Sequence, residues 1–419
     1  MSIQNQQTKL NIGLFGFGVV GEGLYKVLEQ TPTLNAQIKK VCIKHPEKKR
    51  SAPGELFTVD PEVLLQDKDI NVIVELIDDA DAAWYIVSTA LKNKKAVVSA
   101  NKKLIAEHLD ELITLQQHFD TPFLYESAAC ASIPVIRNLE EYYDNDLLHG
   151  VSGIVNGSTN YILTKVFEEH LSFEDALLQA QYEGFAESNP ALDVEGTDAV
   201  NKLTILLAHA YGIVSSPQDI VHTGIQHLHT ADAVFAQEKG YEIKLVAQAR
   251  KLDGGKIAAF VLPQFVQKTS QLYNVRNEYN GVIIESSFAD KQFFYGKGAG
   301  SFPTASAVLS DLSALRYNYK YEYKKLRYQK PPILSNDFFL KVYVSFDGLF
   351  HVPHEKFERI EEWSSSDKRC HVTGIIRFSR LLDATWWKRK GVSLIVYPDA
   401  FVDKVTVKEK AEEDVLVLV

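Results

Sequence analysis

Residues Leu10 to Leu28 read as a short strand, a tight glycine turn and a helix, an order that few folds accommodate. Leu10, Ile12 and Leu14 form the buried strand, and Gly16-Phe17-Gly18-Val19-Val20-Gly21 opens an amphipathic helix carrying Leu24, Val27 and Leu28. Gly16 permits the turn, Gly18 lets the backbone approach a pyrophosphate, and Gly21 lets the helix pack closely on the strand. Backbone N–H groups at the helix start, Val19 and Val20 among them, face the anion. Strand and helix signals continue to alternate to about Glu126: Val72 to Val74, a helix around Ala82 to Leu91, then Ala96 to Val98. The pattern predicts an α/β chain whose residues 1–126 form a Rossmann-type, doubly wound parallel sheet that binds a dinucleotide.

A dinucleotide fingerprint normally continues to an acid some twenty residues on, which accepts the ribose hydroxyls of NAD. Here the second strand, Ile38 to Ile43, is followed by Lys44-His45-Pro46-Glu47-Lys48-Lys49-Arg50, and Glu47 comes too late, beyond a proline. Lys44 stands where the acid would be. Cations there suit a 2′-phosphate, so the expected cofactor is NADP, with NAD as the alternative.

A second informative stretch is Gly184 to Leu206, GFAESNPALDVEGTDAVNKLTIL. Asp198 and Lys202 are four apart in a predicted helix and so point the same way. Asp193 and Glu187 lie just upstream in a loop punctuated by Gly and Pro, while Leu203, Ile205, Leu206, Leu207 and Ala210 bury the rest of the helix. An isolated pair of this kind is usually a surface ion pair. In company with a nucleotide loop, it is expected at the mouth of a pocket.

Composition narrows the partners. A formal charge of −9 does not favour a nucleic-acid surface. No apolar run approaches the ~18 residues of a membrane span, and Met1 to Leu10 is polar, unlike a signal peptide. Cys42, Cys130 and Cys370 are unclustered, so neither a disulfide framework nor a zinc site is indicated, and the cytoplasm is the expected compartment.

Several segments together resemble homoserine dehydrogenase over most of the first 315 residues. The cofactor loop is matched by Gly16 to Gly23, a strand end by Glu75-Leu76-Ile77, and "S/T-A-N-K" by Ser99-Ala100-Asn101-Lys102. The signature "G-I-x-N-G-T-T-N-Y-I-L" is matched by Gly153 to Leu163, "E-A-D-P-x-x-D-V-x-G-x-D-A-x-x-K" by Glu187 to Lys202, and "G-x-G-A-G-x-x-P-T-A-S-A-V" by Gly296 to Val308. The resemblance implies interconversion of L-homoserine and L-aspartate 4-semialdehyde coupled to NAD(P)H.

It also implies residue roles. Lys202 matches a proton donor, Glu187 a substrate-binding carboxylate, and Asp193 and Asp198 the acids around the amino alcohol. Lys102 matches a lysine at the nicotinamide end, itself argued to transfer the proton; the sequence leaves open which lysine does so. Ser99 and Gly300 match cofactor contacts, the latter in a returning turn with Gly298 and Ala299. Glu126, with the backbones of Ala129, Ala131 and Ile133, matches a site for a monovalent cation such as Na+. A homodimer or higher homo-oligomer is implied.

Physical chemistry runs alongside. The dinucleotide supplies hydride chemistry, and the protein must orient the aldehyde carbon and give a proton to its oxygen. A lysine serves if burial brings its ammonium towards neutrality, a shift that a neighbouring aspartate opposes. The substrate's ammonium asks for Glu187 and Asp193; its carboxylate asks for donors at Gly157-Ser158-Thr159.

This chain departs from the family pattern at Asp78-Asp79 (usually Gly-Gly), at Cys130-Ala131-Ser132 (usually small, glycine-rich), at Asn189 and at His45. Two rivals exist, a sugar or polyol dehydrogenase of the same shape and a non-catalytic NADP-binding regulator. The first expects an "E-K-P"-type signature with a histidine, the second loss of Lys102, Asp198 or Lys202; neither expectation is met.

Three units are expected: 1–126 completed by a helix over 296–315, an α+β substrate and dimerisation unit over 127–295, and a C-terminal unit over 333–419. Between them, Arg316 to Lys330 interleaves six basic residues with five tyrosines, which the alternation of Tyr317, Tyr319, Tyr321 and Tyr323 assigns to a strand or linker with one aromatic face. The C-terminal unit reads as a strand at Phe338 to Val344, a helix around Glu355 to Trp363, and strands near Cys370 to Phe378 and Val392 to Tyr397. That order resembles a diverged ACT domain, a βαββαβ module that binds amino-acid effectors, although its "D-x-P-G" signature is missing. His351, His354 and His371 form no ligand pattern.

Overall fold

Near-continuous apolar runs make the central strands of the first sheet, because a parallel sheet covered on both faces has no solvent side there. The structure, a computed structural model, describes residues 9–144, 147–348, 352–365 and 369–402. Strands β1 (Leu10–Phe15), β2 (Ala36–Cys42), β3 (Phe57–Thr58), β4 (Val72–Glu75), β5 (Ala96–Ser99) and β6 (Phe123–Leu124) form one parallel sheet in the order β3-β2-β1-β4-β5-β6. The order reverses between β1 and β4, where Phe15 lies beside Glu75 and Glu75 beside Ser99. The glycine turn, Leu76 to Asp78 and Ala100 to Lys102 therefore emerge at one edge, the switch point where such sheets bind ligands.

Helix packing at that edge needs small residues. A β-carbon on Gly16 would meet the Leu76 carbonyl oxygen at 2.6 Å, and φ there is +91°. One on Gly21 would meet the Gly16 oxygen at 2.3 Å, so the close helix approach expected of it is real. One on Gly23 would meet Ser301 Oγ at 2.4 Å, because the helix Ser301–Leu315 returns onto the helix Val19–Gln30. The returning helix starts at Ser301; Gly296 and Lys297 instead end a strand, and Gly300 (φ +115°) makes the turn between.

The remaining strands are β7 (Leu148–Ile154), β8 (Val221–His222), β9 (Tyr241–Lys251), β10 (Lys256–Gln267), β11 (Tyr279–Ser286), β12 (Asp290–Lys297), β13 (Ile333–Leu334), β14 (Phe339–Asp347), β15 (Phe357–Ser364), β16 (Arg369–Arg377) and β17 (Val392–Val402). Nine of them make the path β12-β11-β7-β9-β10-β17-β14-β16-β15, with β8 and β13 paired to β10 off that path. The helix Thr197–Tyr211 is buried from Asp198 to Tyr211, as a helix inside a core must be.

One sequence expectation is corrected. Glu355 to Trp363 is not a helix: a 3-10 turn at His354–Lys356 leads into β15, which pairs antiparallel with β16. The glutamates suggested helix, but cross-strand pairing outweighs local propensity. The last four strands keep the antiparallel order of a split βαββαβ module, β17-β14-β16-β15, with only 3-10 segments among the described residues where that module has helices.

Of the two readings of the tyrosine segment, strand or linker, the linker is the one observed. Tyr321 and Tyr323 are buried, and the Tyr323 hydroxyl lies 2.9 Å from that of Tyr125, which lies 2.9 Å from His209 Nε2. Lys325 follows, donating to the carbonyls of Leu139 (2.6 Å) and His209 (2.7 Å) at the end of the Asp198 helix, and burial lowers its pKa to about 8. The period of two was a signal of one-sided burial without a strand neighbour. His371 stacks on Tyr343 and the His354 ring meets that of Trp363 at a tilt of 53°, whereas His351 and residues 403–419 lie outside the described residues.

Candidate active site

Three side chains expected from different segments meet in one cluster. Lys102 opens the helix Lys102–Phe119, whose first turn is capped by Asn101 through the Leu104 N–H. Asp198 and Lys202 lie one turn apart near the start of the Thr197–Tyr211 helix. The Asp198 carboxylate sits between the two ammoniums, 2.8 Å from Lys102 Nζ through one oxygen and 2.8 Å from Lys202 Nζ through the other. Lys202 also donates to the Val155 carbonyl at 2.6 Å. The two lysines differ in access: the Lys102 side chain is 44% exposed and that of Lys202 8%.

Burial alone would raise the Asp198 carboxyl, but the two ammoniums outweigh it and hold it well below the usual carboxylate range. The same attraction raises Lys102 above its ordinary value against its own desolvation. For Lys102 the opposition expected of a neighbouring aspartate outweighs burial.

Asn156, which no spacing argument singled out, organises the cluster. Its Nδ2 donates to Asp193 (2.6 Å) and Asp198 (2.8 Å), and its Oδ1 accepts the Thr159 N–H and hydroxyl, both at 2.8 Å. It is the N-cap of the helix Gly157–Glu168, a position legible in retrospect from an asparagine just before a glycine-led helix. The Thr159 hydroxyl is thereby engaged and buried; Gly157 and Ser158 face the cavity instead.

That cavity, about 600 Å³, is bounded by Val20, Leu76 to Asp78, Lys102, Asn156, Asp193, Asp198 and the turn Gly298 to Gly300. Glu187 is exposed and outside its wall, though Gly184 and Phe185 line it and the Phe185 carbonyl accepts from Ser158 Oγ at 2.7 Å. The site suits a dinucleotide. A β-carbon on Gly18 would meet nothing within 4 Å, so the turn has an open flank at the start of a twelve-residue helix. Lys44 is exposed just past β2, and Lys48 and Arg50 line a neighbouring cavity in which the Arg50 guanidinium lies 5.4 Å from the Phe57 ring centre.

Ser99 is buried and serves the edge of the sheet. Its hydroxyl donates to Glu75 Oε2 (2.5 Å), Glu75 Oε1 accepts the Ile77 N–H (2.8 Å), and Asn101 Nδ2 donates to the Ile77 carbonyl (3.0 Å). Glu75 thus ties the β4 and β5 exits together. Burial pushes its carboxyl from an ordinary 4.5 up to about 7. Across that window the folded state keeps a proton that the unfolded state has released, so stability falls as pH rises through it. Glu75→Gln is expected to remove that fall, with the variant gaining on the parent from pH 5 to 7 by up to roughly 3 kcal/mol. Thermal unfolding of both proteins at each pH measures it; a constant difference would sink the assignment.

The implied cation site fits less well. The Glu126 carboxylate already accepts the N–H groups of Ile136 (2.8 Å) and Arg137 (2.9 Å), and the Ile133 carbonyl accepts from Val135 (2.8 Å). Asp311 accepts the Glu126 N–H at 2.9 Å and is pushed up to about 8 by burial and the Glu126 charge. Ala131 takes a positive φ of 42°, a conformation that favours glycine, and Ala129 is buried. Among the described residues no group of three or more His, Cys, Asp or Glu is placed to hold a metal. The other departures have local reasons: Asp79 caps the helix Ala80–Lys92 through the Ala82 N–H, and His45 pairs with Glu47 at 3.3 Å.

A parallel nucleotide sheet with a glycine turn, and a lysine–carboxylate cluster at its carboxyl edge, define an NAD(P)-dependent oxidoreductase. Comparison with known proteins makes this specific. Residues 16–126 match the family model for the NAD-binding domain of homoserine dehydrogenase, and residues 134–313 match the model for homoserine dehydrogenase. The homoserine dehydrogenase of Bacillus subtilis is 36% identical over 318 residues, which is 74% of this chain and 73% of that one. The crystal structure of a homoserine dehydrogenase from Thiobacillus denitrificans superposes with a TM-score of 0.82 at 28% identity, over 93% of this chain and 98% of that one. A hyperthermophilic archaeal homoserine dehydrogenase mutant in complex with NADPH superposes at 0.64 and 26% identity, over 75% and 100% of the two chains. The chain belongs to the homoserine dehydrogenase family. It uses a nicotinamide dinucleotide and acts on a small molecule; none of its described helices is long and apolar enough to cross a membrane.

Proposed function

We propose that this enzyme interconverts L-homoserine and L-aspartate 4-semialdehyde, with NADP as the preferred dinucleotide. The observation that carries the reading is the Asp198 carboxylate held between Lys102 and Lys202 at the edge of the nucleotide sheet. A nicotinamide dinucleotide held at the Gly16–Gly21 turn would supply the hydride chemistry when bound. A lysine ammonium donates its proton to the aldehyde oxygen and recovers it from the alcohol. Lys102, the more exposed of the two, is the better placed to reach a ligand, and Lys202 fixes Asp198 from behind.

Asp193, oriented by Asn156, takes the substrate's ammonium, and Gly157 with Ser158 offers backbone N–H groups to its carboxylate. Glu187, exposed outside the cavity wall, is the proposed second acid for the same ammonium. Lys44 receives the 2′-phosphate, with Lys48 and Arg50 beside it. The units 1–126 completed by 296–315, 127–295 and 333–419 are the proposed division of the chain, and a homodimer or higher homo-oligomer the proposed assembly. A non-catalytic regulator would have no need of the converged lysines.

Absorbance at the reduced-nicotinamide band tests this, with L-homoserine and NADP or NAD in parallel, with and without threonine. Reduction of NADP is expected. Turnover with NAD alone would remove the role of Lys44, and turnover with neither would overturn the reaction. Inhibition by threonine would make the C-terminal strands a sensor.

A further inference from the structure

The cavity holds more charge than proton transfer uses. Its cations are Lys102, Lys202 and Lys297; its acids are Asp78, Asp193, Asp198 and Glu278. Lys102 and Lys202 are both committed to Asp198, and Asn156 to Asp193 and Asp198. That leaves Lys297, the last residue of β12, as the cation of this wall outside the Asp198 cluster.

Lys297 is built into one corner. Its Nζ lies 3.4 Å from Glu278 Oε1 and 5.6 Å from the centre of the Tyr279 ring. Its main chain is fixed, because its carbonyl accepts the Ser132 hydroxyl at 2.9 Å and the Ser132 N–H at 3.3 Å. Glu278 in turn abuts the start of the Gly157–Glu168 helix: a β-carbon on Gly157 would come within 2.6 Å of the Glu278 carbonyl oxygen. A long side chain on a fixed base therefore puts a positive charge on the same cavity wall as Gly157 and Ser158 at that helix start, where an anion is favoured. The Lys297 side chain is 47% exposed and its ion pair is long, so exchanging Glu278 for a ligand carboxylate costs little.

We propose that Lys297, presented by Glu278, reads the α-carboxylate of the amino-acid substrate and so separates it from aldehydes and alcohols that lack one. The inference rests on the function proposed above and adds a specificity residue to it. The same charge could serve a dinucleotide phosphate, so the measurement has to separate the two anions.

Steady-state kinetics of the parent, Lys297→Ala and Lys297→Arg with L-homoserine and its carboxamide make that separation. A lost charge-assisted contact predicts that Lys297→Ala raises KM for L-homoserine about 10- to 100-fold, with kcat within about threefold and KM for NADP unchanged. The parent should prefer L-homoserine to the amide, Lys297→Ala should lose that preference, and Lys297→Arg should restore most of it. An unchanged KM for L-homoserine overturns the proposal: with a raised KM for NADP the lysine serves a phosphate, and with neither changed Lys297 and Glu278 are only a rim pair. Absence of L-homoserine turnover in the parent would overturn the underlying function, and the proposal with it.

Discussion

Asp198→Asn is expected to lower kcat/KM by about a thousandfold while leaving the fold intact, the largest catalytic effect of any single isosteric change in this chain. The carboxylate is the shared partner of Lys102 and Lys202 and an acceptor for Asn156. An asparagine keeps the volume but removes the charge, leaving two ammoniums facing each other across a buried amide. Lys102 loses the attraction that raises its pKa, so its neutral, proton-accepting form is reached at lower pH. In the direction of alcohol oxidation, the residual activity should therefore begin to rise at lower pH than in the parent. Because the two ammoniums hold Asp198 ionised well below the usual carboxylate range, its own titration does not shape the profile near neutrality. The pH dependence of kcat/KM for L-homoserine measures both effects. A variant within tenfold of the parent, or with an unmoved profile, would remove Asp198 from the mechanism.

Gly224→Ala is expected to be the most destabilising glycine substitution, costing about 3 kcal/mol or more. A β-carbon there would lie 1.9 Å from the Val194 carbonyl oxygen and 2.5 Å from its carbon, which are backbone atoms that cannot step aside. The same carbonyl accepts the Ile225 N–H at 2.7 Å, so a shift would also break that bond. The crossing has a functional address. Gly196, at φ +85°, packs against the Thr223 carbonyl group from the other strand of the crossing and begins the helix that carries Asp198 and Lys202. Whatever Gly224→Ala displaces is therefore passed to the proton-transfer cluster. Thermal unfolding should show a lowered midpoint and kinetics a lowered kcat. Gly54→Ala is the control, since a β-carbon there meets nothing within 4 Å. Equal behaviour of the two variants would contradict the packing argument.

The nucleotide-binding half was legible residue by residue because its determinants are local. Strand β1, the turn at Gly16 and the helix from Val19 are contiguous, and only glycine takes the positive φ at Gly16 or the approach at Gly21 without a clash. The pairing of Asp198 with Lys202 was likewise written in a spacing of four on one helix.

Where partners came from distant segments, patterns were weaker guides. Glu355 to Trp363 has helix-forming glutamates, yet β16 was waiting to pair with it. The alternating tyrosines announced one-sided burial but not whether a strand or Tyr125 and His209 would receive them. Lys102, nearly a hundred residues from Asp198, becomes its partner only because the parallel sheet brings the exit of β5 to the start of the Asp198 helix.

The sequence alone determined that this chain has a dinucleotide turn, an acid–lysine helix and the motif order of a homoserine dehydrogenase, since each lies within a short run of residues. Only the tertiary structure decided that one carboxylate serves two lysines, that Asn156 binds both neighbouring acids, and that Glu187 stays outside the cavity wall while Lys297 lines it. Those facts depend on which segments cross. Crossing is settled by burial and backbone clearance summed over the whole fold, as at Gly224 and Val194, and no local spacing encodes it.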